Sequence, residues 1–133
     1  MDKSINTKEI GDAGEDIACR YLLKNKYAII GRNVYVQKNE LDIVAIYKKT
    51  LVIVEVKTSQ VSRETLENRE YVRPFSRITD KKMQSLYYAA KNYVSGHGYD
   101  IESVKYRIDV MLILIDRKDR RAYLRHTKDV RSF

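Results

Sequence analysis

Residues 40–57 read Glu-Leu-Asp-Ile-Val-Ala-Ile-Tyr-Lys-Lys-Thr-Leu-Val-Ile-Val-Glu-Val-Lys, and the fold follows from how this stretch divides. Positions 41–47 and 51–56 are rich in β-branched and aromatic residues and predict two strands. Lys48-Lys49 lies between them as a short charged turn. It contains no Gly or Asn, which argues against a tight type I′ form. If the two lysines nonetheless form a two-residue turn, Asp42 faces Glu55 and Glu40 faces Lys57. Side chains alternate faces along a strand, so all four charged groups then project from one face. Directly opposed residues place their Cβ atoms about 4.5–5.5 Å apart.

Lys, Glu and Asp are seldom buried without partners, so four of them alternating with Val, Ile and Leu require a reason. Two ionised carboxylates this close repel unless a cation joins them. A hard divalent cation such as Mg²⁺ takes oxygen ligands of this kind and keeps several waters. Bound there, it polarises a phosphate oxygen and acidifies a water for attack. The ammonium group of Lys57 is placed to orient that water or to stabilise developing charge. A cross-strand salt-bridge ladder at a sheet edge, with Glu40–Lys57 as an ordinary pair, fits the same spacing.

Outward from this hairpin, Asn6 followed by Glu9 reads as a capping box opening a helix. Ile10, Ala13, Ile17, Ala18, Tyr21 and Leu22 recur at helical spacing up to about Asn25. Residues 28–36 form a further strand. Residues 58–78 are polar, contain the one proline of the chain, Pro74, and predict a long excursion with room for one helical turn. Arg63, Arg69, Arg73 and Arg77 alternate there with Glu64, Glu67 and Glu70, as a solvated salt-bridged segment or as a loop that grips a nucleic-acid strand. Thr79 or Ser76 caps a second helix bearing Met83, Leu86, Tyr87, Ala90, Tyr93 and Val94 on one face, ended by Gly96-His-Gly98. Strands follow at about 106–115 and 122–126. Helix, three strands, helix and two strands make an α/β domain, a mixed sheet flanked by helices.

The chain has 133 residues, enough for one domain with one real core. Its net charge is +8, and the last eighteen residues hold seven basic side chains against three acidic ones. Such a surface concentrates polyanions, nucleic acid first among them, although charge alone selects no partner. Cys19 is the only cysteine, which excludes an intrachain disulfide and a cysteine zinc site. No apolar run approaches the roughly twenty residues that span a bilayer, and no apolar signal core follows the N-terminus. The expectation is a cytoplasmic protein without a membrane partner, with a homodimer left open. His97 and His126 lack a second ligand at metal spacing and read as structural or surface residues. Asp109 interrupts an apolar strand; pairing with Arg107 or Lys82 explains it as well as catalysis does. Tyr21, Tyr87 and Tyr93 fall on apolar helix faces, while Tyr71 and Tyr99 are freer to stack on bases.

Asp42 followed by Val54-Glu-Val-Lys57 resembles the PD-(D/E)XK motif of restriction-endonuclease-like nucleases. The likeness extends to the YraN-type family of bacterial proteins, which is similar to Holliday-junction resolvases. Its helix signature appears as Gly11-Asp-Ala-Gly14-Glu15-Asp-Ile-Ala18, its Arg-Asn pair as Arg32-Asn33, and its strand element as Glu40-Leu-Asp42-Ile-Val-Ala45. Lys82 and Arg107-Ile-Asp109 match later elements. Asn39, which tolerates a left-handed turn, stands where the family has glycine.

The resemblance implies a restriction-endonuclease-like fold and a Mg²⁺- or Mn²⁺-dependent endonuclease acting on DNA, branched or repair intermediates included. A nuclease-like scaffold that binds nucleic acid without turnover is the alternative. Asp42, Glu55 and Lys57 would be catalytic, and Asp42, Glu55 and Glu15 would hold the metal. Glu15 also reads as an early-helix acid favoured by the macrodipole. Arg32, Lys82, Arg73 and Arg77 would contact the nucleic acid.

Overall fold

The computed structural model describes residues 7–68, 78–100 and 102–131. Helix α1 (Thr7–Lys24) leads into β1 (Ala28–Val36), β2 (Asn39–Tyr47) and β3 (Thr50–Gln60). A one-turn helix α2 (Arg63–Glu67) and a long helix α3 (Asp80–Gly96) precede β4 (Lys105–Asp116) and β5 (Arg121–Thr127). The five strands form one mixed sheet in the order β1-β2-β3-β4-β5. Only β3 and β4 run parallel; the other neighbours are antiparallel. The α2–α3 excursion is the crossover that a parallel pair demands. A five-stranded mixed sheet flanked by helices is consistent with a restriction-endonuclease-like fold.

Each face of the sheet is covered by one long helix. Ala18, Cys19 and Leu22 of α1 pack on Ile43, Ala45, Val52, Val54, Met111 and Ile113. On the opposite face, Met83, Leu86, Ala90 and Val94 of α3 pack on Val44, Leu51, Ile53, Ile108 and Val110. Because β3 and β4 are covered on both sides, they read as continuous apolar runs. Thr79 is the N-cap of α3, its hydroxyl accepting from Lys82 N at 3.1 Å. The Asn6 cap proposed for the first helix lies outside the described residues, as do Arg69, Tyr71, Arg73, Ser76 and Arg77.

Lys48 and Lys49 do form a tight two-residue turn, with φ of 46° and 67°. Both angles lie in the left-handed region that a type I′ turn requires, so two lysines occupy positions that favour Asn and Gly. The register follows: Tyr47 pairs with Thr50, and Ile43 with Val54. In the β1–β2 connection the left-handed residue is Gln37, with φ of 56°, rather than Asn39. Strand β3 continues to Gln60, beyond the 51–56 span expected, because β4 runs alongside it to Ile115.

Candidate functional site

The β2–β3 ladder stops at the Ile43–Val54 pair, and Asp42 and Glu55 come next in register. There the strands separate. Val56 N donates to the Asp42 side chain, Oδ2, at 2.8 Å. Strict alternation also breaks at this point: Leu41 packs in the core under α3, whereas Ile43 packs in the core under α1. Glu40 therefore does not continue the ladder opposite Lys57. Its register partner is Tyr35 of β1.

Asp42 and Glu55 lie close enough for each carboxyl to perturb the other. Burial and the Glu55 charge push the Asp42 carboxyl up to about 7, against the opposing Val56 hydrogen bond. Burial also raises Glu55, opposed by the positive charges of Lys82 and Lys57. Lys82, on the first turn of α3, places Nζ 3.7 Å from Glu55 Oε1. Glu55 Oε2 is buried and has no hydrogen-bond partner among the described residues. A carboxylate oxygen left in that state is costly unless a cation reaches it.

Glu15 enters from α1. Burial and the nearby Asp42 charge raise its carboxyl. Helix α1 approaches closely here because Gly14 has no side chain; a Cβ at that position would collide with the Thr58 side chain on β3. Arg32 of β1 lies 3.7 Å from Glu15 and 3.0 Å from Asp16. Between the acids sits Asn33, in a left-handed conformation with φ of 51°. With its amide turned to suit its neighbours, Asn33 Nδ2 donates to Glu40 Oε1 at 2.8 Å and to Glu15 Oε1 at 3.0 Å.

The structure thus gathers Glu15, Arg32, Asp42, Glu55, Lys57 and Lys82 around the end of the β2–β3 pair. Arg73 and Arg77 fall outside the described residues. Among the described residues, no three His, Cys, Asp or Glu side chains form a ready-made metal cage. The donor set suits Mg²⁺ or Mn²⁺ all the same, because Mg²⁺ is commonly held by one or two carboxylates and completes its shell with water and substrate phosphate. The unpartnered Glu55 oxygen beside Asp42 is the feature such an ion fits. Two contributors escape a reading of the sequence: the Asn33 bridge, and the direct pairing of Lys82 with Glu55. The polar Arg32-Asn33 pair inside a strand was the available signal for the bridge.

Asp109 belongs to a different cluster. It is fully buried and accepts from Arg107 Nε (3.0 Å), Asp129 N (2.9 Å) and His126 Nε2 (2.7 Å). Despite its burial, these donors hold its carboxyl below the ordinary value. Arg107 also donates to Tyr27 Oη at 2.9 Å. Of the two readings open for His126, structural or surface, the structure gives the first: its ring is buried against Tyr21 and Tyr27. Lys82 pairs with Glu55 and takes no part in this cluster.

The family described as uncharacterised protein family UPF0102 matches residues 14–113. A UPF0102 protein of Chlorobium phaeobacteroides is 38% identical over 106 residues, covering 80% of this chain and 76% of that protein. One from Carboxydothermus hydrogenoformans is 33% identical over 130 residues, covering 97% of this chain and all of its own length. One from Chloroherpeton thalassium is 32% identical over 120 residues, 90% of this chain and 86% of that protein. The matched region contains Glu15, Arg32, Asp42, Glu55, Lys57 and Lys82, and this chain belongs to the UPF0102 family.

Proposed function

We propose that the protein is a Mg²⁺- or Mn²⁺-dependent nuclease that hydrolyses DNA phosphodiester bonds at Asp42, Glu55 and Lys57. The observation that carries this reading is the buried carboxylate pair, with Glu55 Oε2 unpartnered among the described residues at the point where β2 and β3 separate. Asp42 and Glu55 would hold the ion, with Glu15 supporting them from α1. An ion held there would polarise a phosphate oxygen and lower the pKa of a water. Lys57, two residues beyond Glu55 on β3, orients that water and stabilises the charge that develops as it attacks phosphorus. As the water's oxygen bonds to phosphorus its proton passes to solvent, the opposite phosphorus–oxygen bond breaks, and the leaving oxygen takes up a proton from solvent.

Lys82 and Arg32 add positive charge at the rim, with partly exposed side chains. Together with the +8 net charge, they favour a polyanionic substrate. A salt-bridge ladder without a ligand accounts for this arrangement less well, because the ladder ends before Glu40 could meet Lys57. No helix among the described residues is long and apolar enough to cross a membrane.

The test is cleavage of end-labelled single-stranded, duplex, flapped and four-way DNA, with Mg²⁺, with Mn²⁺ and with chelator. Metal-dependent products that Glu55→Gln abolishes support the reading. Binding without products on every substrate replaces it with a nucleic-acid-binding module.

A further inference from the structure

Tyr35 is the most exposed large apolar side chain among the described residues, at 70% of its full surface. A single exposed aromatic is ordinary by itself. What separates Tyr35 from Leu23, Ile30 and Tyr88 is its attachment to the candidate site. Its register partner on the neighbouring strand β2 is Glu40. Glu40 in turn accepts from Asn33, and Asn33 donates to Glu15, whose carboxyl feels the charge of Asp42. The strand position opposite the ring is therefore bonded through Asn33 into the same cluster as Glu15.

The ring stands open to solvent. Among the described residues, the ring–ring contacts involve Tyr21, Tyr27, Tyr47, Tyr93, His97 and His126, but not Tyr35. Strand β1 is the outer strand of the sheet, so no further strand covers it. Lys38 is exposed in the adjoining turn, and Arg32 lies three residues back on the same strand. Cations on the same strand and adjoining turn as an exposed ring are the ingredients for gripping a strand by its phosphates and stacking on its bases.

We propose that Tyr35 is a stacking platform for an unpaired nucleobase at the mouth of the site, so that the substrate class is DNA with a single-stranded segment beside the cut. In a duplex, both faces of each base are occupied by neighbouring bases. An aromatic side chain then gains a partner only at a strand end, in an unpaired segment or at a flipped base. Every base presents a π-face, so the preference is for strandedness rather than sequence. The inference rests on the nuclease reading for its site and substrate, and its test separates the two.

Affinity for single-stranded and for blunt duplex oligonucleotides is measured by fluorescence anisotropy, in chelator so that no cleavage occurs. The proteins are wild type, Tyr35→Ala, Tyr35→Phe and Tyr35→Trp. Tyr35→Ala is expected to weaken single-strand binding by roughly 5- to 100-fold, the range for loss of one base–aromatic stack, and to leave duplex binding unchanged. Phe and Trp, which keep a ring, are expected to restore single-strand binding. Circular dichroism confirms that each variant is folded. Single-strand binding by Tyr35→Ala equal to wild type overturns the inference, as does an equal loss on both substrates or failure of Phe to restore binding. Cleavage is scored separately on wild type with metal: its absence removes the nuclease reading and leaves the stacking result standing.

Discussion

Asp42 Oδ2 accepts the backbone N–H of Val56 at 2.8 Å, an interaction between a side chain and a strand where the ladder would otherwise carry a backbone pair. This one bond draws Asp42 against β3 beside Glu55 and opens the sheet at the same time. Glu55, the Val56 N–H that holds Asp42 of β2, and Lys57 are consecutive along β3.

The carboxylate pair makes the metal-free protein sensitive to pH. The Asp42 carboxyl is raised from 3.8 to about 7, by burial and by Glu55. A raised carboxyl favours the folded state while it is protonated, and that advantage is lost as pH rises through the folded value. Chelated protein is therefore expected to lose stability between about pH 4 and 7, read as the urea midpoint. Asp42→Asn is expected to flatten that slope and to raise the midpoint at pH 7. An unchanged slope in the variant rules out the repulsion described.

Gly14 sets the distance between α1 and the site. A Cβ there collides with Thr58, whose own Cβ is fixed to the β3 backbone. Gly14→Ala should shift α1 and destabilise the protein by about 1–3 kcal/mol, the usual range for overpacking. Thr58→Ala in the same chain should recover part of this loss. Denaturation midpoints equal to wild type contradict the close approach.

Lys57 is expected to act on the reaction rather than on folding. Lys57→Ala should keep the thermal midpoint and DNA affinity near wild type while slowing cleavage by roughly 10²-fold or more. A parallel fall in stability would assign the side chain to the fold instead.

Asp109 should behave in the opposite way. Asp109→Ala leaves Arg107 and His126 without their buried acceptor and frees the backbone around Asp129. The cost should be about 3–5 kcal/mol in denaturant unfolding, as for other broken buried pairs. A loss under 1 kcal/mol would show that the cluster relaxes to water.

The register of β2 and β3 was legible in the sequence because alternation and a two-residue spacer leave one pairing, even with lysines at Lys48 and Lys49. Strand-long alternation then misleads at Glu40, since the break at Asp42 comes from competition between a side-chain acceptor and the ladder. No local pattern announces that competition. That His126 is structural rather than surface was not decided by the sequence, because its partner Asp109 lies across the β4–β5 pair. The Asn33 bridge needs three strands or helices to meet, which a spacing argument cannot supply. Helix α3 was legible from its apolar stripe and its Thr79 cap, both of which are local.

The central claim, that Asp42 and Glu55 hold a divalent cation between them, is tested most directly by titrating Mn²⁺ into purified protein and counting bound ions by electron paramagnetic resonance. The account predicts saturable binding to wild type that weakens by roughly 10-fold or more in both Asp42→Asn and Glu55→Gln, with the fold retained. Mn²⁺ binding to the two variants with wild-type affinity would contradict it.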